Sequence, residues 1–214
     1  DHNSDFMSWK MIKEMHLDNV EIFNHTSDHE SLLDQNEEEI IESILNAQEE
    51  IKKNLDIWPS IFSYPYGENS TKTKFILKNI GFKLAFTQNS GPISIYSDPY
   101  FLPRFPINSE FGSIQRFKML INTKPLGIFN FSPSDTIIKT DDLLIEFSSN
   151  YIAKNINCYI SNSAKIIKIK NDDNRKYLKI SGLEKKNNYR LNCTLVKSKE
   201  EVYWFGKTFY VRDN

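Results

Sequence analysis

Val20-Glu21-Ile22-Phe23-Asn24-His25-Thr26-Ser27-Asp28-His29 sets the reading of the chain. Its first four residues alternate with a period of two, which predicts a buried β-strand over Val20–Phe23. Two histidines four residues apart follow the run directly. Neutral imidazoles bind Zn2+ and related divalent ions, and a short turn can aim residues i and i+4 at one point. His25 and His29 are therefore candidate metal ligands. Two histidines also have an ordinary alternative, with His25 hydrogen-bonded locally and His29 on the surface. His2 and His16 have no comparable context.

Upstream, Ser8 reads as the N-cap of a short helix, with Trp9, Ile12 and Met15 at helical spacing. Downstream, Asn36-Glu37-Glu38-Glu39 starts a longer helix with an apolar stripe of Ile40, Ile41, Ile44, Leu45, Ile51 and Leu55. Its acidic first turn and its Lys52-Lys53 end suit the helix dipole. Ile61-Phe62-Ser63-Tyr64 predicts a second strand, running into Pro65-Tyr66-Gly67. A helix from Ser70 to Asn79, ended by Gly81, leads to a third strand over Phe82–Thr87. Strand, helix, strand, helix, strand predicts parallel α/β architecture, in which chemistry gathers at the C-terminal ends of strands. His25, His29, Tyr66 and Gly67 all follow predicted strand ends.

The pattern changes after Lys124-Pro125. Short β-rich runs alternate with turn signals from Ile128 onward: Leu143–Phe147, Ile156–Ile160, Ile166–Ile169, Tyr189–Leu195, Val202–Phe205 and Thr208–Val211. This predicts an α/β domain over 1–125 and a small all-β sandwich domain over 126–214. Cys158 and Cys193 both fall in the second part, mid-strand, where a bridge and two buried thiols are both open. Tyr203 and Trp204 read as core aromatics of the sandwich, with a sugar-stacking platform as the alternative.

Of 214 residues, 27 are basic and 28 acidic, so charge gives no case for nucleic acid or an anionic membrane as partner. No apolar run approaches the roughly 18–20 residues of a membrane-spanning helix. The oligomeric state cannot be read from the chain. It opens on Asp1-His2-Asn3-Ser4-Asp5, without Met or a signal sequence; a removed signal or a start within a longer protein accounts for this.

Five blocks in order resemble the polysaccharide deacetylase family, the NodB-homology or carbohydrate esterase family 4 enzymes. Ser8–Met15 resembles the family's Thr/Ser-Trp helix, and His25-Thr26-Ser27-Asp28-His29 its His-Ser/Thr-x-x-His motif. Phe62–Gly67 is similar to its Pro-Tyr-Gly motif, and Gly81-Phe82-Lys83-Leu84-Ala85-Phe86-Thr87 to its Gly-Phe-x-x-Ala-x-Thr strand. Leu102-Pro103-Arg104-Phe105-Pro106-Ile107 resembles its late arginine segment. The resemblance implies a partial, deformed (β/α) barrel of NodB type. It also implies metal-dependent hydrolysis of an N-acetylated polysaccharide, with release of acetate, in the periplasm, cell envelope or outside the cell. On that reading His25 and His29 hold the divalent metal, usually Zn2+. The Tyr66 N–H serves the oxyanion, Pro65 and Gly67 shape the turn at the substrate, and Arg104 orients the catalytic carboxylate. The β-rich part resembles a C-terminal extension found in a bacterial subgroup.

Two motifs depart. Nothing matches the family's Thr-Phe-Asp-Asp, which supplies the base and a third protein ligand; Asp1 and Asp5 lack the apolar strand that precedes it. Asp28 sits at a position the family leaves variable. Leu120-Ile121-Asn122 stands where Leu-x-His is expected, and an amide cannot shuttle a proton. Either the chain is a fragment of a longer enzyme, or it is a glycan-binding or envelope-structural protein on a degenerate deacetylase fold. The open edges that missing strands would leave favour the fragment.

Overall fold

Helices and two short strands build the first half of the chain, in a computed structural model that describes residues 6–162, 164–198 and 200–213. Asp1, His2 and Asp5 lie outside the described residues. Helix α1 (Trp9–Leu17) begins at the Ser8 cap, whose hydroxyl accepts from the Met11 N–H, and it contains no buried residue. Helix α2 (Glu37–Leu55) opens with a reciprocal capping box between Asn36 and Glu39. It buries Ile40, Ile44, Ile51 and Leu55 of the expected stripe, together with Ser43, Ala47 and Gln48, which the apolar pattern does not reveal.

Strand β1 (Ile61–Ser63) runs through a 3-10 turn (Pro65–Gly67) into helix α3 (Thr71–Ile80). Ser70 caps the start of α3, and Gly81, at φ 105°, ends it in the left-handed region. Strand β2 (Leu84–Phe86) pairs parallel with β1. Single parallel bridges at Asn24–Phe62 and Phe86–Leu102 extend this sheet by one residue on each side. Phe62, Tyr64 and Ala85 pack with Leu32, Ile40, Ile44, Ile76, Leu77 and Phe82 in one core. No closed barrel forms among the described residues.

The strand expected over Val20–Phe23 does not form. Only Asn24 meets a partner, while Val20 and Phe23 are exposed. Alternating apolar residues make a strand only when a neighbouring backbone takes up their N–H and C=O groups, and among the described residues β1 reaches only Asn24.

Helix α4 (Ile114–Asn122), which the sequence reading did not identify, leads into the β-rich half. Strands β3 (Lys124–Pro125), β4 (Ile128–Ser132), β5 (Ile137–Ile138) and β6 (Asp142–Ser149) come first. After a 3-10 turn (Ala153–Asn155) follow β7 (Asn157–Ile160), β8 (Lys165–Asp172), β9 (Arg175–Ser181), β10 (Asn188–Val196) and β11 (Val202–Val211). One sheet has the order β4-β6-β9-β8; the other runs β3-β11-β10-β7, with β5 also on β11. Alternate residues of each point inward and share one core, including Leu143, Ile145 and Phe147 of β6 and Tyr189, Leu191 and Leu195 of β10. Tyr203 is buried in this half. The runs Val202–Phe205 and Thr208–Val211, expected as two strands, are one continuous strand through Gly206 and Lys207. Cys158 and Cys193 face each other across β7 and β10, and their sulfurs are joined.

Hydrogen bonding crosses the boundary expected at residue 125, because β3 pairs with β11. The two halves also touch where Gly206 lies against the backbone of Ser90. A Cβ at 206 would come within 2.9 Å of the Ser90 nitrogen and nearer still to its carbonyl oxygen. Gly206→Ala should therefore force the halves apart and lower stability by about 2 kcal/mol. Urea unfolding measures this, and an unchanged midpoint would show that the approach carries no energetic weight.

Candidate active site

Asn24 is the fixed point from which the two histidines are positioned. It is fully buried, and its backbone bridges β1 through Asn24 N–H to Ile61 O (3.2 Å) and Ser63 N–H to Asn24 O (2.9 Å). Its side-chain Nδ2 donates to Ile44 O (2.9 Å) and to Gln48 Oε1 (3.0 Å) on α2. Its Oδ1 accepts from the Thr26 N–H at 2.9 Å. Gln48 in turn donates to Pro59 O. The chain leaves β-pairing at this residue and turns sharply, with Thr26 at φ 67° and His29 at φ 57°. The Thr26 hydroxyl accepts from the His29 N–H, and Asp28 accepts from Ser43 and from the Glu30 N–H. Asp28 thereby braces the turn locally.

This turn brings the two imidazoles together, with ring centroids 4.8 Å apart and edge to face. The Tyr66 ring stands 4.5 Å from that of His29. His25 Nδ1 lies 2.7 Å from the Ser63 carbonyl. A carbonyl can only accept, so Nδ1 carries the proton and the Nε2 lone pair is left for a ligand. Partial burial pushes the His25 pKa below its ordinary value of 6.5; the Ser63 carbonyl opposes this, and His29 and Arg104 add to it. A metal-binding histidine must be neutral, and both tautomer and charge meet that requirement.

The Tyr66-Gly67 turn follows the end of β1. Tyr66 adopts φ 55° and Gly67 φ 72°. A Cβ on Gly67 would lie 2.5 Å from Gln88 Cβ and 2.6 Å from the Gln88 nitrogen, so glycine is required for both space and conformation. The Gly67 carbonyl accepts from Asn69 Nδ2 at 2.8 Å and from the Tyr210 hydroxyl at 2.7 Å, the latter reaching over from β11. The neighbouring residues are held from the same side. Thr136 donates to Asn69 O, and Arg212 faces Glu68 at 3.4 Å. Sequence reading identified none of Asn24, Gln48, Tyr210 or Arg212, since each looks unremarkable in its own segment.

Arg104 differs from its expected role. Its Nε donates to the Thr87 carbonyl at 3.0 Å, and among the described residues it forms no ion pair. It holds the end of β2 and places a positive charge near His25. No group of three or more His, Cys, Asp or Glu residues able to hold a metal occurs among the described residues. His25 and His29 fit a divalent ion as two of its ligands. They do not make a complete set.

Two outcomes follow from this geometry. Asn24→Ala should strand the buried Gln48 and Ile44 acceptors and cost about 2 kcal/mol or more in denaturant unfolding; a smaller loss would show that the turn holds itself. In an NMR pH titration His25 should show its midpoint below 6.5, since desolvation, His29 and Arg104 all favour the neutral ring, and an ordinary or raised value would overturn this.

Parts of the chain resemble known proteins. Residues 2–85 match the family model described as polysaccharide deacetylase. The poly-beta-1,6-N-acetyl-D-glucosamine N-deacetylase of Staphylococcus aureus strain MRSA252 is 27% identical over 118 residues, covering 51% of this chain and 41% of the relative. The chain thus spans less than half the length of the curated relatives it matches. The Streptococcus pyogenes deacetylase PplD, solved in complex with acetate, superposes with a TM-score of 0.50 at 22% identity, over 53% of this chain and 50% of that one, a likeness of fold. The segment that matches the polysaccharide deacetylase model carries the paired histidines and the Pro-Tyr-Gly turn, so this part of the chain resembles that family in sequence and PplD in fold.

Proposed function

We propose that this protein takes part in metal-dependent deacetylation of an N-acetylated polysaccharide, hydrolysing the acetamide and releasing acetate. The observation that carries the reading is the His25–His29 pair, one ring fixed by Ser63 in the tautomer that presents Nε2, beside the strained Tyr66-Gly67 turn. His25 and His29 would hold the divalent ion, taken to be Zn2+, as two of its ligands. Such an ion lowers the pKa of a bound water and polarises an acyl carbonyl. The Tyr66 N–H donates to the oxygen on which negative charge develops, where a preorganised donor is worth most. Pro65 and Gly67 set the turn, and the Tyr66 ring forms one wall for the sugar. Arg104 acts at one remove, through the Thr87 carbonyl and its charge near His25.

Residues 126–214 serve in this reading as an accessory β-sandwich domain that braces the turn. The substrate class follows from the Staphylococcus aureus relative, whose name specifies poly-beta-1,6-N-acetyl-D-glucosamine. An envelope or extracellular location fits a polymer of that kind and the Cys158–Cys193 bridge, which persists in oxidising compartments. No helix among the described residues is long and apolar enough to cross a membrane.

Acetate release from a β-1,6-linked N-acetylglucosamine oligomer, assayed with the full-length protein and added Zn2+, tests the proposal. His25→Ala and His29→Ala should each weaken Zn2+ binding by tenfold or more and lower the rate by about 100-fold or more. Unchanged zinc affinity in both variants would overturn the ligand assignment. Zinc binding with no acetate release by the wild-type protein would favour the non-catalytic glycan-binding reading.

A further inference from the structure

A cavity of about 380 Å3 lies between the two halves of the chain, and none of His25, His29, Tyr66 or Arg104 lines it. Its volume falls in the range of small-molecule sites, roughly 300–1,000 Å3. Phe75, Phe101 and Trp204 supply aromatic wall, while Asn69, Asn89 and Lys207 supply polar groups. Phe75 is 56% exposed, which leaves its ring open to a ligand at the cavity.

Asn69 gives the cavity its chemistry. The residue is fully buried, and its Nδ2 is committed to the Gly67 carbonyl, which fixes the orientation of the amide. Its Oδ1 is buried and has no hydrogen-bond partner among the described residues. An unmatched buried acceptor costs on the order of 1–3 kcal/mol, so a ligand N–H or O–H delivered there gains what the empty site lacks. Lys207 supplies the opposite need. Its ammonium donates to Pro133 O (3.2 Å) and Ser134 O (3.1 Å), which uses two of three protons, and it stands 4.6 Å from the Phe131 ring centroid. Burial lowers its pKa to about 8, a mark of a partly desolvated amine. The other lining cation, Lys74, is already paired with Asp98. The cavity therefore offers a buried acceptor, a donor and aromatic faces, with little net charge for a multiply charged anion.

We propose that this cavity is a second carbohydrate site, taking one N-acetylated amino-sugar unit of the polymer outside the hydrolytic centre. A pyranose ring presents an apolar C–H face for Phe75 and Trp204. Its acetamide has an N–H for Asn69 Oδ1 and a carbonyl for the Lys207 ammonium. Because the other end of the Asn69 amide holds the Gly67 carbonyl, the site adjoins the oxyanion turn and would retain the polymer close to it. The choice of sugar rests on the deacetylase reading; the existence of the site does not.

The test follows the Trp204 indole N–H, which is held by Asn192, in NMR titrations of the full chain. The probes are a β-1,6-linked N-acetylglucosamine oligomer, a β-1,6-glucan oligomer without acetamides, and inorganic phosphate. A saturable shift is expected with the first probe alone. It should persist in the His25→Ala/His29→Ala double variant, which removes the hydrolytic centre. Phe75→Ala, at an exposed position that folding tolerates, should weaken it roughly tenfold while leaving acetate release from a short oligomer unchanged. Loss of the shift in the histidine variant, no effect of Phe75→Ala, or a response to phosphate in place of sugar would each overturn the site. Acetate release with a silent Trp204 would also overturn it and leave the deacetylase reading standing. A Trp204 response without acetate release would uphold the site and remove that reading.

Discussion

The buried amide of Asn24 is the constraint on which the histidine turn depends. Three of its side-chain contacts and both of its backbone groups are satisfied at once, by β1, by α2 and by Thr26. A fully buried amide is tolerated only when so matched, and removing any partner exposes the others to the same penalty. The network therefore fixes three things relative to one another: the end of the β1 pairing, the face of α2, and the point where the chain turns toward His25. The position of the imidazoles is set by a polar network one residue earlier in the chain, not by the histidines themselves.

A second clamp works from the far half of the chain. The Gly67 carbonyl receives two donors, one from Asn69 within the turn and one from Tyr210 on β11. Thr136 and Arg212 hold the adjacent residues, and the Thr208 N–H donates to Asn89 Oδ1 on the other side. On the proposed reading, in which this turn presents a backbone N–H to developing charge, immobility is a gain, since donors that need not reorganise stabilise a transition state best. The β-rich half supplies that immobility. Its large shared core, running through both sheets, gives Tyr210 a rigid base from which to reach.

Helix caps, the parallel pairing of β1 with β2 and most of the later strands were legible because each is encoded locally. Ser8, Asn36, Ser70 and Gly81 mark ends by their own chemistry. What was not legible depends on partners distant in sequence. The Val20–Phe23 run has a strand's alternation but no neighbouring backbone beyond Asn24. Strand β9 went unread because Lys176 occupies an inward position. That lysine is buried, with its ammonium bonded to Ala153 O, Ile156 O and Asn171 Oδ1, so a residue that reads as surface is part of the interior. Helix α4 was obscured because Ile114, Phe117 and Ile121 are exposed and only Leu120 is buried, leaving no face that a core demands. In the site, motif residues were visible by spacing, while Tyr210, 143 residues from Gly67, had no local mark.

Backbone conformation separates the site from the ordinary turns of the chain. Outside it, the non-glycine residues at positive φ among the described residues are Asn19, Asp56, Asn130, Asn162, Asp173 and Lys186. Five of the six are Asn or Asp, which enter the left-handed region at little cost. The site instead places Thr26, His29 and Tyr66 there, and a β-branched and a bulky aromatic residue resist that region most. At roughly 1–2 kcal/mol each, the three conformations cost about 3–6 kcal/mol. The eight hydrogen bonds of Asn24, Thr26, Asp28 and Gly67, at about 1 kcal/mol apiece, are more than enough to offset this. A fold under selection for stability alone would place Asn or Gly at these positions and keep the bonds as net gain. Strain and restraint both converge on two imidazoles and a Pro-Tyr-Gly turn, the pattern from which a functional site is inferred.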